Sequence, residues 1–99
     1  MYGFDFHPDA KMELAKLNRS IQLLFSKKLK QILKNPQIGL PLGNKNSFNL
    51  AGFYKVYFNS KKHRIVYEIE EEKVVIYIIA IGKREGMEVY QKANQRRDR

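Results

Sequence analysis

Three residues that could bind a phosphate group fall at spacings that place them on one surface. Lys55 and Tyr57 are two residues apart in a segment rich in β-branched and aromatic residues, and side chains two apart lie on the same face of a β-strand. Arg64 lies in the next such segment, out of phase with the core positions Ile65 and Tyr67. If the two segments pair as a hairpin, Lys55, Tyr57 and Arg64 form one exposed basic and aromatic surface.

A second basic pair ends the following β-rich segment. Lys83 and Arg84 stand where the chain leaves the predicted sheet, and Tyr90 follows six residues after Arg84. Cations interleaved with tyrosines are typical of nucleic-acid binding, because cations hold phosphates and aromatic rings stack on bases. An ordinary solvated sheet face is the alternative, and it is the interpretation that we adopt for Lys61 and Lys62 at a turn.

The histidines and the acidic run are weaker candidates for catalysis or metal binding than the cations and tyrosines. His63 could act as a general acid or base, but it is adjacent to Arg64 and should face the other side of the sheet, which favours a histidine at the edge of the core. His7 precedes Pro8 and is predicted to serve a turn or helix cap. The acidic run at 70–72 is predicted to be a solvated hairpin tip, since consecutive residues of one turn diverge and do not form a metal site.

The chain lacks the residues of several familiar sites. It contains no cysteine and two histidines, which excludes thiol catalysis, zinc ribbons and iron–sulfur clusters. We find no glycine-rich phosphate loop, no paired carboxylates and no Ser-His-Asp set. The sequence therefore predicts no metal and no cofactor.

The N-terminal third is predicted to be a short strand followed by a helical hairpin. Aromatic residues alternate with small or charged residues over 2–6, Pro8 and Asp9 suit the first turn of a helix, and Asn18 offers a cap for a second helix that ends at Asn35 and Pro36. The second helix has an apolar stripe, formed by Ile21, Leu24, Phe25, Leu29, Ile32 and Leu33. Its lysines lie off this stripe, and they are Lys27, Lys28, Lys30 and Lys34.

The remainder is predicted to be an antiparallel meander and a terminal helix. Residues 35–47 have no periodicity and are predicted to be an ordered loop, whereas 53–58, 63–69 and 73–81 are rich in Val, Ile, Tyr and Phe. The last of these segments is apolar at both parities, so it should be covered on both faces. Residues 85–96 are predicted to be a helix, and the last four residues to fray. We therefore expect one α+β domain over 1–99, in the order β-α-α-β-β-β-α.

The charge is large and unevenly distributed. Nineteen Lys and Arg against ten Asp and Glu give +9, and residues 14–67 contain no acid but eleven basic residues. Such a field attracts polyanions, with a merely solvated surface as the alternative. No apolar run reaches the length of a membrane span, and the N-terminus does not resemble a signal peptide. We expect a cytoplasmic protein without a membrane partner.

Three segments resemble a known family, and they are NPQIGLPLG, FNLAGFYKVYF and HRIVYEIEEEKVVIYIIAIGKREGMEVYQKA. Together they resemble the RelE branch of the RelE/ParE toxins of bacterial toxin–antitoxin pairs. The resemblance covers nearly the whole chain, and its most specific parts are HRIVY and GKREGMEVY at the expected separation.

The resemblance implies an endoribonuclease that needs no metal. RelE-like toxins enter the A site of the 70S ribosome and cut mRNA by attack of a ribose 2′-OH on the adjacent phosphorus, which arrests translation, and a cognate acidic antitoxin neutralises them. Carried over by position, Arg64 and Arg84 would stabilise the phosphate, Lys55 would assist proton transfer or supply positive charge, and Tyr90 would stack on or orient the nucleotide. Further candidates for RNA binding are Tyr57, Lys83, Lys45, Lys27, Lys28 and Lys30.

Two positions depart from the family pattern. Tyr57 stands where a second lysine is common, and Ala51 stands where a basic residue commonly precedes a glycine. Tyr57 could substitute by stacking, or the chain could be a slower nuclease. The alternatives are a toxin that retains only antitoxin or RNA binding, and a non-enzymatic inhibitor of DNA gyrase like the ParE branch.

Overall fold

A mixed sheet carries two helices on one face and a third helix on the other. The computed structural model describes residues 1–45 and 48–97, without the side chain of Lys45. The elements in chain order are β1 (Gly3–Phe6), α1 (Pro8–Ala15), α2 (Arg19–Lys34), a 3-10 turn (Pro36–Ile38), β2 (Leu40–Pro41), β3 (Asn44–Lys45), β4 (Phe48–Asn49), β5 (Phe53–Phe58), β6 (His63–Glu70), β7 (Val75–Lys83) and α3 (Glu88–Gln95).

The main sheet has the strand order β1-β7-β6-β5-β2. β1 is parallel to β7, and the other neighbours are antiparallel. The expected α+β class and the meander of β5, β6 and β7 are confirmed. The interpretation of 35–47 as a loop was wrong where β2 pairs with β5 and β3 pairs with β4. β2, β3 and β4 have two residues each, which is too short to give a sequence periodicity.

Side chains cap both N-terminal helices as the sequence indicated. The His7 ring accepts a hydrogen bond from the Asp9 N–H at 3.1 Å, and the Asn18 amide oxygen accepts one from the Ile21 N–H at 3.1 Å. Both bonds satisfy backbone donors that the first turn of a helix leaves free. Leu24, predicted to belong to the buried stripe of α2, is instead 38% exposed, because it lies at the margin of the stripe, where it lines a groove with Lys27 and Tyr57.

Two apolar cores separate the three layers. On one face of the sheet, β5, β6 and β7 pack against α1 and α2 through residues that include Phe25, Phe58 and Tyr67. On the other face, α3 packs its Val89, Tyr90 and Ala93 on the sheet. The side-chain parity expected for β5 and β6 is therefore confirmed.

An irregularity in the β6–β7 ladder explains why β7 is apolar at both parities. Val66 pairs with Ala80 and Tyr67 pairs with Ile78, which leaves Ile79 as an extra residue. Ile78 and Ile81 belong to the core under α1 and α2, whereas Ile79 packs on the α3 side. A bulge of this kind exchanges the two faces of a strand, and β7 is covered on both, as expected.

The C-terminal helix begins later than the sequence predicted, and the two residues after it are hydrogen-bonded to other parts of the protein. α3 starts at Glu88, after Gly86 adopts a φ of 73°. Fraying was predicted from residue 96, but Arg96 donates two hydrogen bonds to Glu13, at 3.0 and 2.8 Å, and Arg97 donates one to the Asn49 carbonyl at 2.6 Å. The expectation was therefore wrong for these two residues, and residues 98–99 lie outside the described part. No helix in 1–45 or 48–97 is long and apolar enough to cross a membrane.

Candidate functional site

Tyr57 is the centre of a cluster of cations at one end of the sheet. Its hydroxyl accepts a hydrogen bond from Lys55 Nζ at 2.8 Å. The guanidinium carbon of Arg84 lies 5.3 Å from the centre of its ring, and that of Arg64 lies 5.8 Å away. The register of the strands causes this convergence, because Tyr57 pairs with Arg64 across β5 and β6 and Arg64 pairs with Gly82 across β6 and β7.

Arg64 is buried, which corrects the expectation that it lies on an exposed surface. Only 5% of the residue is accessible, and its guanidinium carbon lies 4.5 Å from the centre of the Tyr90 ring. Its Nη2 donates to the backbone carbonyl of Arg84, while Nε and Nη1 are buried without a hydrogen-bond partner among the described residues. Arg64 thus combines a cation–π contact with support for the segment that carries Arg84.

Tyr90 is also buried, at 3% exposure. Its ring belongs to the core between the sheet and α3, with the guanidinium of Arg64 over it. Its hydroxyl is hydrogen-bonded with the Lys55 side chain. The family resemblance implied that Tyr90 stacks on or orients the nucleotide, and burial leaves little of its ring accessible for stacking on a base.

The cluster raises the pKa of Lys55 and lowers the pKa of Tyr57. The hydrogen bond from Lys55 lowers the pKa of the Tyr57 hydroxyl, and this effect and the charges of Lys55, Arg64 and Arg84 outweigh the opposing effect of burial. Burial lowers the pKa of Lys55, but its hydrogen bonds and charge interactions with Tyr57 and Tyr90 more than offset this, so the pKa is raised. Relative to the isolated side chains, the cluster therefore stabilises the protonated form of Lys55 and the ionised form of Tyr57.

Arg84 is the exposed cation of the cluster. It follows β7, and its backbone N–H donates to the Lys62 carbonyl at 3.0 Å. The carbonyl bonds of Lys62 and Arg84 fix the backbone at this point, whereas the guanidinium remains accessible. Arg84 can therefore contact an anion without rearrangement of the core.

His63 lies on the other side of the sheet, as expected for a histidine at the edge of the core. Its ring centre is 5.3 Å from that of Phe58, and its Nδ1 is 3.1 Å from the Asn59 amide nitrogen. Burial lowers the pKa of His63, and the charges of Lys83 and Lys62 add to the effect. His63 is therefore neutral at pH 7 and does not join the Tyr57 cluster.

A cleft beside Arg84 was not anticipated. It has a volume of about 540 Å³ and is lined by residues 60–63 and 83–85. The turn before β6 forms one wall, with Asn59, Ser60 and Lys61 all at positive φ. Lys61 and Lys62 were assigned to a solvated turn, and the structure places both of them at this cleft. The sequence Asn-Ser-Lys-Lys was the only feature that could have indicated this cleft, and it predicted a turn but not the conformation of that turn.

The remaining candidates for RNA binding are divided. Lys28 and Tyr57 line a groove of about 340 Å³ together with Lys55. Lys27, Lys28 and Tyr57 line a neighbouring groove of about 350 Å³. Lys83 lines the cleft beside Arg84. Lys30 is exposed and is not among the residues that line these three depressions. The side chain of Lys45 lies outside the described part.

The acidic residues form no metal site in the part of the chain that the structure describes. Glu70 pairs with Lys73 at 3.5 Å at the β6–β7 turn, as expected for a hairpin tip. No group of three or more His, Cys, Asp or Glu residues in 1–45 and 48–97 could hold a metal ion. Ala51 lies in the exposed turn before β5, where its N–H donates to Asn49 Oδ1 at 3.2 Å.

Comparison with known proteins gives consistent matches. A family model described as the ParE toxin of the type II toxin–antitoxin system, parDE, matches residues 4–87. The mRNA interferase toxin RelE of Escherichia coli K12 is 37% identical over 95 residues, which cover 96% of each chain.

Solved structures agree with these matches. A free-state structure of an E. coli RelE variant, in which two arginines are replaced by alanine, superposes with a TM-score of 0.74 at 33% identity and covers 97% of both chains. The toxin of the intact E. coli RelBE toxin–antitoxin complex gives a TM-score of 0.69 at 32% identity, covering 87% of this chain and 100% of that one. Since the family model and the 37% identical relative both span most of the sequence, the protein belongs to the RelE branch of the RelE/ParE toxin family.

Proposed function

We propose that this protein is the toxin of a type II toxin–antitoxin pair and that it cleaves mRNA on the ribosome. The observation that carries the proposal is the cluster of Lys55, Arg64 and Arg84 around Tyr57. Its E. coli relative is named an mRNA interferase toxin. A protein acting on ribosomes would work in the cytoplasm.

The cluster suits attack of a ribose 2′-OH on the adjacent phosphorus. In this reaction the bond between phosphorus and the 2′ oxygen forms, the bond to the 5′ oxygen breaks, and the products are a 2′,3′-cyclic phosphate and a 5′-OH. Negative charge accumulates on the phosphorus-bound oxygens in the transition state, and positioned cations lower its energy. Arg84 is accessible to these oxygens. The buried Arg64 adds positive charge to the cluster and holds the Arg84 backbone through a hydrogen bond.

Lys55 would act as a cation. Its raised pKa keeps the ammonium protonated at neutral pH, so it is poorly suited to remove a proton from the 2′-OH. A protonated Lys55 beside the phosphate would offset the charge of the transition state.

Basic residues around the cluster supply a path for the rest of the RNA. Lys27 and Lys28 lie on the α2 side of Tyr57, and Lys83 lies on the side of the Arg84 cleft. Phosphates on either side of the scissile bond would contact these lysines, and affinity would fall steeply with salt.

Dependence on the ribosome follows from the chemistry of the cluster. Lysine and tyrosine have ordinary pKa values of about 10.4 and 10, so a site built from them works poorly on RNA whose conformation is free. A ribosome that holds the 2′-OH in line with the 5′ oxygen would orient the reacting groups, and this orientation would lower part of the activation barrier for cleavage.

One mRNA at one concentration, free and bound to programmed ribosomes with an empty A site, tests the proposal. Primer extension should show new 5′ ends within the A-site codon, at a much higher rate on ribosomes. Lys73→Ala serves as a control, because it removes one charge from the β6–β7 turn, at the end of β6 opposite to Arg64. Equal rates on both substrates would refute ribosome dependence, and absence of cleavage in both would refute the nuclease assignment.

Gyrase inhibition is the second candidate, because the matching family model is that of ParE toxins. A gyrase inhibitor would leave mRNA intact and cause gyrase-dependent DNA damage in cells expressing the protein. DNA supercoiling assays with purified gyrase distinguish the two activities directly.

An acidic antitoxin is the proposed protein partner. Residues 14–67 carry no acid, and the exposed apolar side chains of Leu23 and Leu40 could pack against an amphipathic helix. A solved relative is a toxin–antitoxin complex. Co-expression with the product of an adjacent small open reading frame should yield a complex and restore growth, and failure of both would reject that product as the antitoxin.

A further inference from the structure

We propose that the Tyr57 hydroxyl, ionised to a phenolate, accepts the proton of the attacking 2′-OH, an inference that rests on the proposed nuclease function. The chain thus contains its own general base within the cation cluster. A tyrosine in this role differs from the stacking role that its position in the sequence suggested.

The first argument is the arrangement of charge around Tyr57. Lys55 Nζ lies 2.8 Å from the hydroxyl and 4.9 Å from the ring centre, and two guanidinium groups lie within 6 Å of the ring. Charged and titratable groups from all surrounding elements face this region, and they are Lys55 on β5, Arg64 on β6, Arg84 after β7, Lys27 and Lys28 on α2, Lys61 in the β5–β6 turn, and Tyr90 on α3 through Lys55.

Six of these groups are cations and none is a carboxylate. Positive charge stabilises a phenolate over a phenol, and the pKa of Tyr57 is lowered as this arrangement requires, with the Lys55 hydrogen bond as the largest cause. The geometry and the direction of the pKa therefore agree.

The second argument is access. Tyr57 is only partly buried and lines both of the grooves that separate β5 from α2. A ribose placed against Arg84 could therefore reach the hydroxyl.

The third argument is the lack of a better base among the described neighbours. Lys55 holds its proton more tightly than an ordinary lysine, and Tyr90 is buried under Arg64. His63 borders the cleft beside Arg84, but it is only 7% exposed and its ring packs on Phe58. Tyr57 is the one accessible group of the cluster whose pKa moves toward neutrality.

The step balances without a further reactant besides water. The phenolate oxygen takes the proton of the 2′-OH, the electron pair of that O–H bond forms the new bond to phosphorus, and the electron pair of the bond to the 5′ oxygen leaves with that oxygen. The 5′ oxygen takes a proton from water, and the hydroxide produced is neutralised when the Tyr57 phenol loses its proton again.

Tyr57→Phe tests the proposal, because it removes the hydroxyl and keeps the ring beside the two guanidinium groups. We expect single-turnover cleavage on programmed ribosomes to fall by about 100-fold or more, the usual effect of removing a general base. In the unsubstituted protein the rate should rise with pH and level off below the ordinary tyrosine pKa of about 10. This part of the pH profile should be absent from Tyr57→Phe.

Tyr54→Phe is the matched control, since Tyr54 lies on the opposite face of β5 and stacks on Tyr67 at 5.7 Å. It should cleave at the unsubstituted rate. A second measurement does not depend on activity: titration of tyrosinate absorbance should reveal one tyrosine ionising early in the unsubstituted protein and in Tyr54→Phe, but not in Tyr57→Phe.

The outcomes separate this proposal from the nuclease assignment. If the unsubstituted protein cleaves and Tyr57→Phe cleaves at the same rate with the same pH profile, Tyr57 is not the base and the nuclease function stands. If no early tyrosinate appears in the titration, the phenolate is refuted whether or not RNA is cut. If tyrosinate appears but neither free nor ribosome-bound RNA is cleaved, the proposed function is refuted and the base role with it.

Discussion

Glu13 joins the first helix to the last, and its replacement should destabilise the protein strongly. Its Oε1 accepts hydrogen bonds from the Ile81 N–H at 3.0 Å and from Arg96 Nη1 at 3.0 Å, and its Oε2 accepts one from Arg96 Nη2 at 2.8 Å. Lys92 Nζ lies 3.3 Å from the same carboxylate. The side chains of Arg96 and Glu13 are 11% and 15% exposed, so most of this network is out of water.

In Glu13→Gln the amide oxygen can still accept from Ile81, but the amide NH₂ faces the donors of Arg96. The guanidinium then loses its main counter-ion in a largely buried position, which costs about 3–5 kcal/mol for fully buried pairs. Residual exposure and the carboxylate of Asp9, 3.9 Å from Arg96 Nε, reduce this to about 2–4 kcal/mol. At about 4–8 °C for each kcal/mol in a domain of this size, Tm should fall by roughly 8–32 °C.

Thermal and urea unfolding followed by circular dichroism measure the effect. Glu72→Gln is the control, because Glu72 is exposed in the β6–β7 turn, and it should change stability by less than about 0.5 kcal/mol. A Tm of Glu13→Gln equal to that of Glu72→Gln would refute the reasoning.

The pH dependence provides an independent check. Burial raises the pKa of Glu13, but the hydrogen bonds from Arg96, Ile81 and Lys92 and the charge of Arg96 outweigh burial and lower it below the ordinary 4.5. A carboxyl with a lowered folded pKa stabilises the fold above the unfolded value, and this contribution is lost as the pH falls through the folded pKa. The difference in stability between the unsubstituted protein and Glu13→Gln should therefore shrink as the pH falls from the ordinary 4.5 through the folded pKa of Glu13, and a difference that stays constant in acid would contradict the prediction.

Three further substitutions test single contacts. Arg84→Ala should fold normally and lose about 2–4 kcal/mol of transition-state stabilisation in single-turnover cleavage, and full activity in a folded variant would exclude Arg84 from the site. Tyr67→Phe removes the hydroxyl that donates to the buried Pro36 carbonyl at 2.7 Å and should cost about 1–3 kcal/mol in urea unfolding; an unchanged midpoint would show that the carbonyl finds another donor. Gly39→Ala places a Cβ against the Tyr67 hydroxyl and should cost about 1–3 kcal/mol, partly relieved in the double variant with Tyr67→Phe, whereas additive losses would show that the two sites are independent.

Local rules were sufficient for the elements that carry the site. Strand parity placed Lys55, Tyr57 and Arg64 on one face, because side chains alternate along any strand regardless of its partners. Cap chemistry located the starts of α1 and α2 at His7 and Asn18, because each cap bonds a backbone donor two or three residues away. These features depend on residues close together in sequence.

The environment of those residues could not be derived in the same way. Parity says which face Arg64 points to but not that α3 covers that face, so its burial against Tyr90 and the lowered pKa of Tyr57 follow only from packing. The family resemblance supplied roles for the cations, but the resemblance did not reveal the hydrogen bond between Lys55 and Tyr57.

Longer-range contacts depended wholly on the tertiary structure. Glu13 and Arg96 are 83 residues apart, and nothing in either segment marks them as partners, so the sequence predicted fraying where the structure has an ion pair. The sequence by itself determined the α+β class, the starts of α1 and α2, the charge and the faces of the strands, because these follow from local geometry and composition. Burial, pKa shifts and the ion pair that holds α3 were decided by the tertiary structure, because each depends on which distant groups exclude water from one another.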